Sequence, residues 1–129
     1  MGLYLPNVMA AFDAWAPVLQ GLTPVQIKEA IVKMKPYIVH TTAADYVYLP
    51  RYRYESTLTN YLPQEKVVRA MPMGKGMVDY KTFIGTLKEI DYRGYIAYEM
   101  CEVLDGGGSI EYLDKTAKVF LDYVKQFED

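Results

Sequence analysis

The chain has 129 residues, 51% of them hydrophobic and 23% charged, with a formal net charge of −2. That balance is ordinary for a globular protein, and the length suits one domain over residues 1–129. Fourteen basic side chains against sixteen acidic ones, with no two basic residues adjacent, give no electrostatic footprint for nucleic acid or an anionic membrane surface. The single cysteine, Cys101, excludes an intrachain disulfide framework. With only one histidine in the chain, it cannot make a four-ligand zinc site either. A reducing, cytoplasmic setting is expected, with Cys101 as a small buried apolar residue. The apolar stretch from Leu3 to Leu19 is broken by Pro6, Asn7, Asp13 and Pro17 and follows no basic residue, so it reads as neither a membrane span nor a signal peptide.

In chain order, Asn7 to Phe12 is a short apolar run ended by Asp13, without polar alternation, which predicts a parallel strand covered on both faces. Thr23, Pro24 and Gln26 form a capping box with proline at the first helical position. Ile27, Ala30, Ile31 and Met34 then repeat at helical spacing until Lys35-Pro36 stops the helix. Tyr37 to Thr42 is rich in β-branched residues and predicts the next strand. Between Tyr46 and Met77 periodicity is lost, prolines stand at 50, 63 and 72, and five tyrosines crowd what is expected to be a long loop. Asp79 caps a helix whose face is Tyr80, Phe83, Ile84, Leu87 and Ile90, closed by a turn with Gly94 just past its end. Gly94 to Glu99 is the third strand. After glycines 106–108, Ser109 caps a last helix with Ile110, Leu113, Ala117, Phe120, Leu121, Val124 and Phe127 on one face. Three β-then-α units in series predict an α/β fold with a parallel sheet.

In such a fold, ligands gather at the carboxyl ends of the strands. The residues standing there are Asp13, then His40, Thr42 and Asp45, then Glu99. Carboxylate oxygens converging on one rim suit a hard divalent cation, and an imidazole can join them. Each also has a plainer reading, as the cap of the following loop. The glycine loop leading into Ser109 offers backbone N–H groups at a helix start, an arrangement that holds phosphate, although Asp105 and Glu111 flank it.

These segments together resemble the sugar phosphate isomerase/epimerase family of xylose isomerase-like barrels. Phe12-Asp13-Ala14-Trp15 resembles its sixth-strand aspartate motif, and Tyr37-Ile-Val-His-Thr-Thr-Ala-Ala-Asp45 its seventh strand. Gly74-Lys-Gly-Met-Val-Asp79 is similar to the segment before the seventh helix. Ile90-Asp-Tyr-Arg-Gly-Tyr-Ile-Ala-Tyr-Glu99 resembles the eighth strand with its terminal glutamate, and Gly106-Gly-Gly-Ser-Ile-Glu-Tyr-Leu-Asp114 the entry to the last helix. The resemblance implies a partial (β/α)8 barrel, the last three of eight units, and a divalent metal such as Mn²⁺, Mg²⁺ or Co²⁺. Asp13 and Glu99 match two of its ligands, and His40 is the nearest imidazole. Trp15, Thr42, Asp45 and Ser109 fall where a sugar or sugar phosphate is held, and Glu99 is the candidate for proton transfer. A carboxylate bound to a cation has a lowered proton affinity, which weighs against that second role for Glu99.

Two departures from the family pattern carry weight. Thr42 stands where the metal histidine usually does, with His40 two residues earlier, and Ala16 replaces the histidine that commonly follows the sixth-strand aspartate. A full barrel needs about 250 residues. An open three-stranded parallel sheet leaves edges and an apolar face exposed, so association with a second copy or with the missing barrel portion is expected. Three readings stay open: an isomerase or epimerase, a non-catalytic binding or assembly module, and a truncated product of a longer gene.

Overall fold

The computed structural model describes residues 8–100 and 103–128. In chain order the elements are β1 Ala10–Asp13, α1 Trp15–Leu19, α2 Pro24–Met34, β2 Ile38–Ala43, β3 Asp45–Glu55, β4 Asn60–Met71, α3 Tyr80–Glu89, β5 Tyr95–Tyr98 and α4 Ile110–Lys125. Cys101 lies outside the described residues. No helix among those described is long and apolar enough to cross a membrane.

Local chemistry sets the helix starts. Thr23 accepts from the Gln26 N–H at 3.3 Å while its own N–H donates to Gln26 Oε1 at 2.9 Å, the reciprocal pair of a capping box. Asp79 and Ser109 likewise accept from Thr82 and Tyr112 N–H and begin α3 and α4. The end of α3 departs from expectation. Asp91, at φ 57°, takes the left-handed position assigned to glycine, and the Asp91 and Tyr92 N–H groups return to Lys88 and Leu87 carbonyls at 2.9 Å. Aspartate tolerates this conformation better than most side chains, so Gly94 is left to the turn beyond.

β1, β2 and β5 form a parallel sheet in that order, with Asp13 opposite Thr42 and Thr42 opposite Ala97. One face packs on the helices: Phe12, Ala43, Ile96 and Tyr98 meet Ile27, Ile31, Phe83 and Phe120 in one apolar cluster. Phe12 stacks on Phe83 and Tyr98 on Phe120, with ring centroids 6.2 and 4.8 Å apart. The opposite face carries Ala11, Asp13, His40, Thr42, Tyr95, Ala97 and Glu99 and is left open, with Tyr95 83% exposed. This corrects the expectation that β1 is covered on both faces: Phe12 is buried and Ala11 is exposed. The sheet closes no barrel among the described residues.

The segment expected to be a loop is instead an antiparallel hairpin, β3 with β4, running from Asp45 paired with Met71 to Glu55 paired with Asn60. Its tyrosines at 46, 48, 52 and 54 are the period-two signal of a strand. That signal is masked in the sequence because the ribbon is exposed on both sides beyond its base, so polar and apolar residues do not sort cleanly. Both prolines inside it, Pro50 and Pro63, lie on strands with a free edge, where proline is tolerated, and Pro50 stands at the register shift between Leu49 and Arg51. The last helix also differs from its predicted face: Thr116 and Phe120 are buried, whereas Ile110 and Leu121 are 81% and 56% exposed.

Candidate functional site

The parallel register brings three side chains to one rim. Asp13 ends β1, Thr42 stands beside it on β2, and Glu99 follows β5, its N–H donating to the Ala43 carbonyl at 2.9 Å and so extending the ladder by one residue. The Thr42 hydroxyl donates to Asp13 Oδ1. Thr42 therefore does more than occupy a rim position: it gives Asp13 an internal partner and orients its carboxylate. His40 is on the same face but is registered with Ala11 and Tyr95, about 7 Å further down the strand from Thr42. Asp13 and Glu99 belong to strands separated by β2, and Glu99 lies two residues beyond the Ala97 that is level with Asp13, so their backbones stand roughly 12 Å apart.

The other residues singled out from the sequence go elsewhere. Asp45 is 1% exposed and its carboxylate is fully employed: Oδ2 accepts from Gly74 and Gly76 N–H at 3.0 and 2.8 Å, and Oδ1 from Tyr46 and Val78 N–H at 3.1 and 3.2 Å. It ties the segment after β4 to the start of β3. Burial pushes this carboxyl above the usual aspartate range, against the four N–H groups, Gly76 foremost, that pull it down. Ser109 caps α4, and Trp15 packs against Tyr46 with ring centroids 5.1 Å apart, where Ala44, Ala70 and Leu104 form a second small core. The glycine loop is closed onto its neighbours: Asp105 N–H donates to Ala70 O, and the Tyr112 hydroxyl donates to Asp105 O.

One residue that sequence reasoning counted only as core positions the rim. The Tyr80 hydroxyl donates to the Ala44 carbonyl at 2.7 Å and accepts from the Ala44 N–H at 2.8 Å, which fixes the chain where it leaves β2 just past Thr42. Burial pushes its phenol far above the usual tyrosine value, so it stays protonated and can donate at any ordinary pH. Its position on an apolar helical face gave no hint of this. The tyrosine hydroxyl is the only signal, and it is shared with many surface tyrosines.

The donors on the rim suit a hard cation in kind, since carboxylate oxygens are what Mg²⁺ and Mn²⁺ prefer. No group of three or more His, Cys, Asp or Glu side chains among the described residues is placed together, so a cation held here would keep water among its ligands. No protein-family model matches the chain, and no curated protein matches it.

Proposed function

We propose that the chain supplies the last three β/α units of a xylose isomerase-like barrel and, with them, part of the site of a divalent-metal sugar or sugar phosphate isomerase or epimerase. The observation that carries the reading is that Asp13 and Thr42, level with each other, and Glu99, two residues further along, stand toward the carboxyl ends of neighbouring parallel strands on the face that the helices leave uncovered. In a closed barrel that face is the interior, and the carboxyl rim is where substrates bind. Asp13 and Glu99 would provide two oxygen donors there, His40 lines the wall below, and water would complete the coordination. A divalent ion, when bound, polarises adjacent sugar oxygens and so eases proton transfer between neighbouring carbons. No base is assigned, because Glu99 as a ligand has its proton affinity lowered.

Calorimetric titration of the chain with Mn²⁺ tests this reading. A binding isotherm is expected that disappears in Glu99→Gln and in Asp13→Asn while the far-ultraviolet circular dichroism is unchanged. Equal binding in either variant removes that residue from the site. A second reading, a non-catalytic binding or assembly module of the same fold, is favoured by the Thr42 hydrogen bond to Asp13, which gives the carboxylate a partner other than a cation. Absence of any isotherm selects it.

A further inference from the structure

Eight-stranded β/α barrels frequently hold a phosphate in the loops after their seventh and eighth strands, where backbone N–H groups and a helix start face the ligand. On the isomerase reading those strands are β2 and β5, so this chain carries both segments. After β2 an anion cradle exists and is filled from within. Four backbone N–H groups, from Tyr46, Gly74, Gly76 and Val78, converge at 2.8 to 3.2 Å on the Asp45 carboxylate. A concave group of backbone donors of this kind is how loops hold phosphate and other anions. Gly74 takes a φ of 79°, and a Cβ on Gly76 would strike Asp45 Oδ1, so the two glycines let the chain wrap a carboxylate of its own. Asp45 is 1% exposed and uses all four donors, which leaves none of them for a second anion.

The segment after β5 is closed in a similar way. The Asp105 N–H donates to the Ala70 carbonyl and the Gly107 N–H to the Leu104 carbonyl, while the Tyr112 and Leu113 N–H groups turn to Ser109. The Glu111 carboxyl is held below its usual value by its own backbone N–H and by the Ser109 hydroxyl, so a carboxylate of the chain also stands at the start of α4. Between Arg93 and Lys115 the sequence contains no basic residue. The nearby cations are otherwise placed. Arg69 donates to the Val103 carbonyl at 3.5 Å, Arg53 pairs with Glu55 at 3.4 Å, and Arg51 stands six residues beyond Asp45, about 20 Å out along β3. Lys75 is exposed between two glycines whose N–H groups already point at Asp45.

We propose that the sugar reaching this rim is unphosphorylated, because carboxylates of the chain itself, Asp45 and Glu111, stand at the two places where a phosphate would be held. The inference rests on the isomerase reading and narrows it to neutral sugars.

The test is phosphate binding by the full chain without metal, followed through the amide resonances of Gly74, Gly76, Gly107, Gly108 and Ser109 in ¹⁵N-labelled protein. Inorganic phosphate at up to about 10 mM, enough to fill a millimolar site, is expected to leave them in place, and D-fructose 6-phosphate to shift the Asp13 and Thr42 amides no more than D-fructose does. A saturable shift at the loop amides overturns the inference, as does a 6-phosphate that binds at least about tenfold tighter than the free sugar. Asp45→Ala empties the cradle. Formate, a carboxylate of the size removed, is expected to raise the Tm of that variant and not of the parent, and a folded variant indifferent to formate refutes the internal anion. If Asp45→Ala does not fold, the phosphate titration of the parent chain still decides. Failure of the underlying reading looks different: a flat Mn²⁺ titration removes the isomerase and this inference together, whereas a phosphate shift beside an intact Mn²⁺ isotherm removes the inference alone.

Discussion

Asp45→Asn is the sharpest test of how the rim is held in place. The carboxylate accepts four backbone N–H groups, two at each oxygen, from Gly74, Gly76, Tyr46 and Val78, and it is almost completely buried. Asparagine keeps one oxygen and turns an NH₂ toward the other pair of donors. With its oxygen on the Gly74 and Gly76 side, it leaves the Tyr46 and Val78 N–H groups facing another donor. Each buried donor stranded in this way costs about 1–3 kcal/mol, partly offset because the variant buries no charge. The expected net loss at neutral pH is about 2–4 kcal/mol, or a fall of roughly 10 °C in Tm, read by urea and thermal unfolding in circular dichroism. The pH dependence has a definite sign. Because burial holds this carboxyl above the ordinary aspartate value of 3.8, the folded chain takes up its proton before the unfolded chain does. Its contribution is therefore complete below that value and is lost as pH rises through the folded pKa, so the gap between Asp and Asn widens in mild acid. A variant within about 0.5 kcal/mol of the parent refutes the view that this carboxylate organises the turn. A gap that narrows in acid refutes the dominance of burial over the N–H groups.

Other substitutions separate the remaining claims. Gly76→Ala places a methyl group against Asp45 Oδ1 and 2.6 Å from the Tyr46 nitrogen, and should cost at least about 2 kcal/mol; Gly85→Ala, in open space within α3, should stabilise by roughly 0.5–1 kcal/mol, both read by denaturant unfolding. Ile31→Ala removes a side chain that is 0% exposed at the centre of the helix-covered face, and about 2–5 kcal/mol should be lost in the same assay. Asp79→Ala removes the α3 cap, at about 1 kcal/mol. The bonds from the Thr82 N–H and hydroxyl hold the Asp79 carboxyl below its usual value, so this contribution is present above the ordinary aspartate pKa and fades as pH falls through the folded one, opposite in sign to Asp45. An Asp79→Ala deficit that persists unchanged in acid would count against the cap.

The parts of the fold that follow from local chemistry are legible in the sequence. The capping box at Thr23, the caps at Asp79 and Ser109, and the apolar spacing of Ile27, Ile31, Phe83 and Leu87 announce three helices, and the runs ending at Asp13, Thr42 and Glu99 announce the parallel strands. The hairpin is hidden because an uncovered ribbon has no inside to impose alternation; only its tyrosine period remains, and the prolines argue against it. Asp45 illustrates a different difficulty. A carboxylate at a strand end looks the same in sequence whether it faces a ligand or the four backbone N–H groups of its own chain, because those donors belong to residues 29 to 33 positions away, apart from its neighbour Tyr46.

The two faces of the small parallel sheet also constrain how the chain works. Parallel sheets are normally covered on both sides, and here the helices cover only one. On the open face Tyr95 stands 83% exposed beside His40 and Ala97, while Asp13 and Thr42 are joined to each other. Had this face evolved to meet water, a charged residue in place of Tyr95 would be favoured over a large ring. The face instead carries Ala11, His40, Tyr95 and Ala97 below, with Asp13, Thr42 and Glu99 toward the rim. Tyr95→Glu is accordingly expected to be neutral within about 0.5 kcal/mol in the isolated chain and to abolish association with whatever completes the sheet. A chain that gains solubility through Tyr95→Glu and still assembles would show that the open face is not where completion occurs.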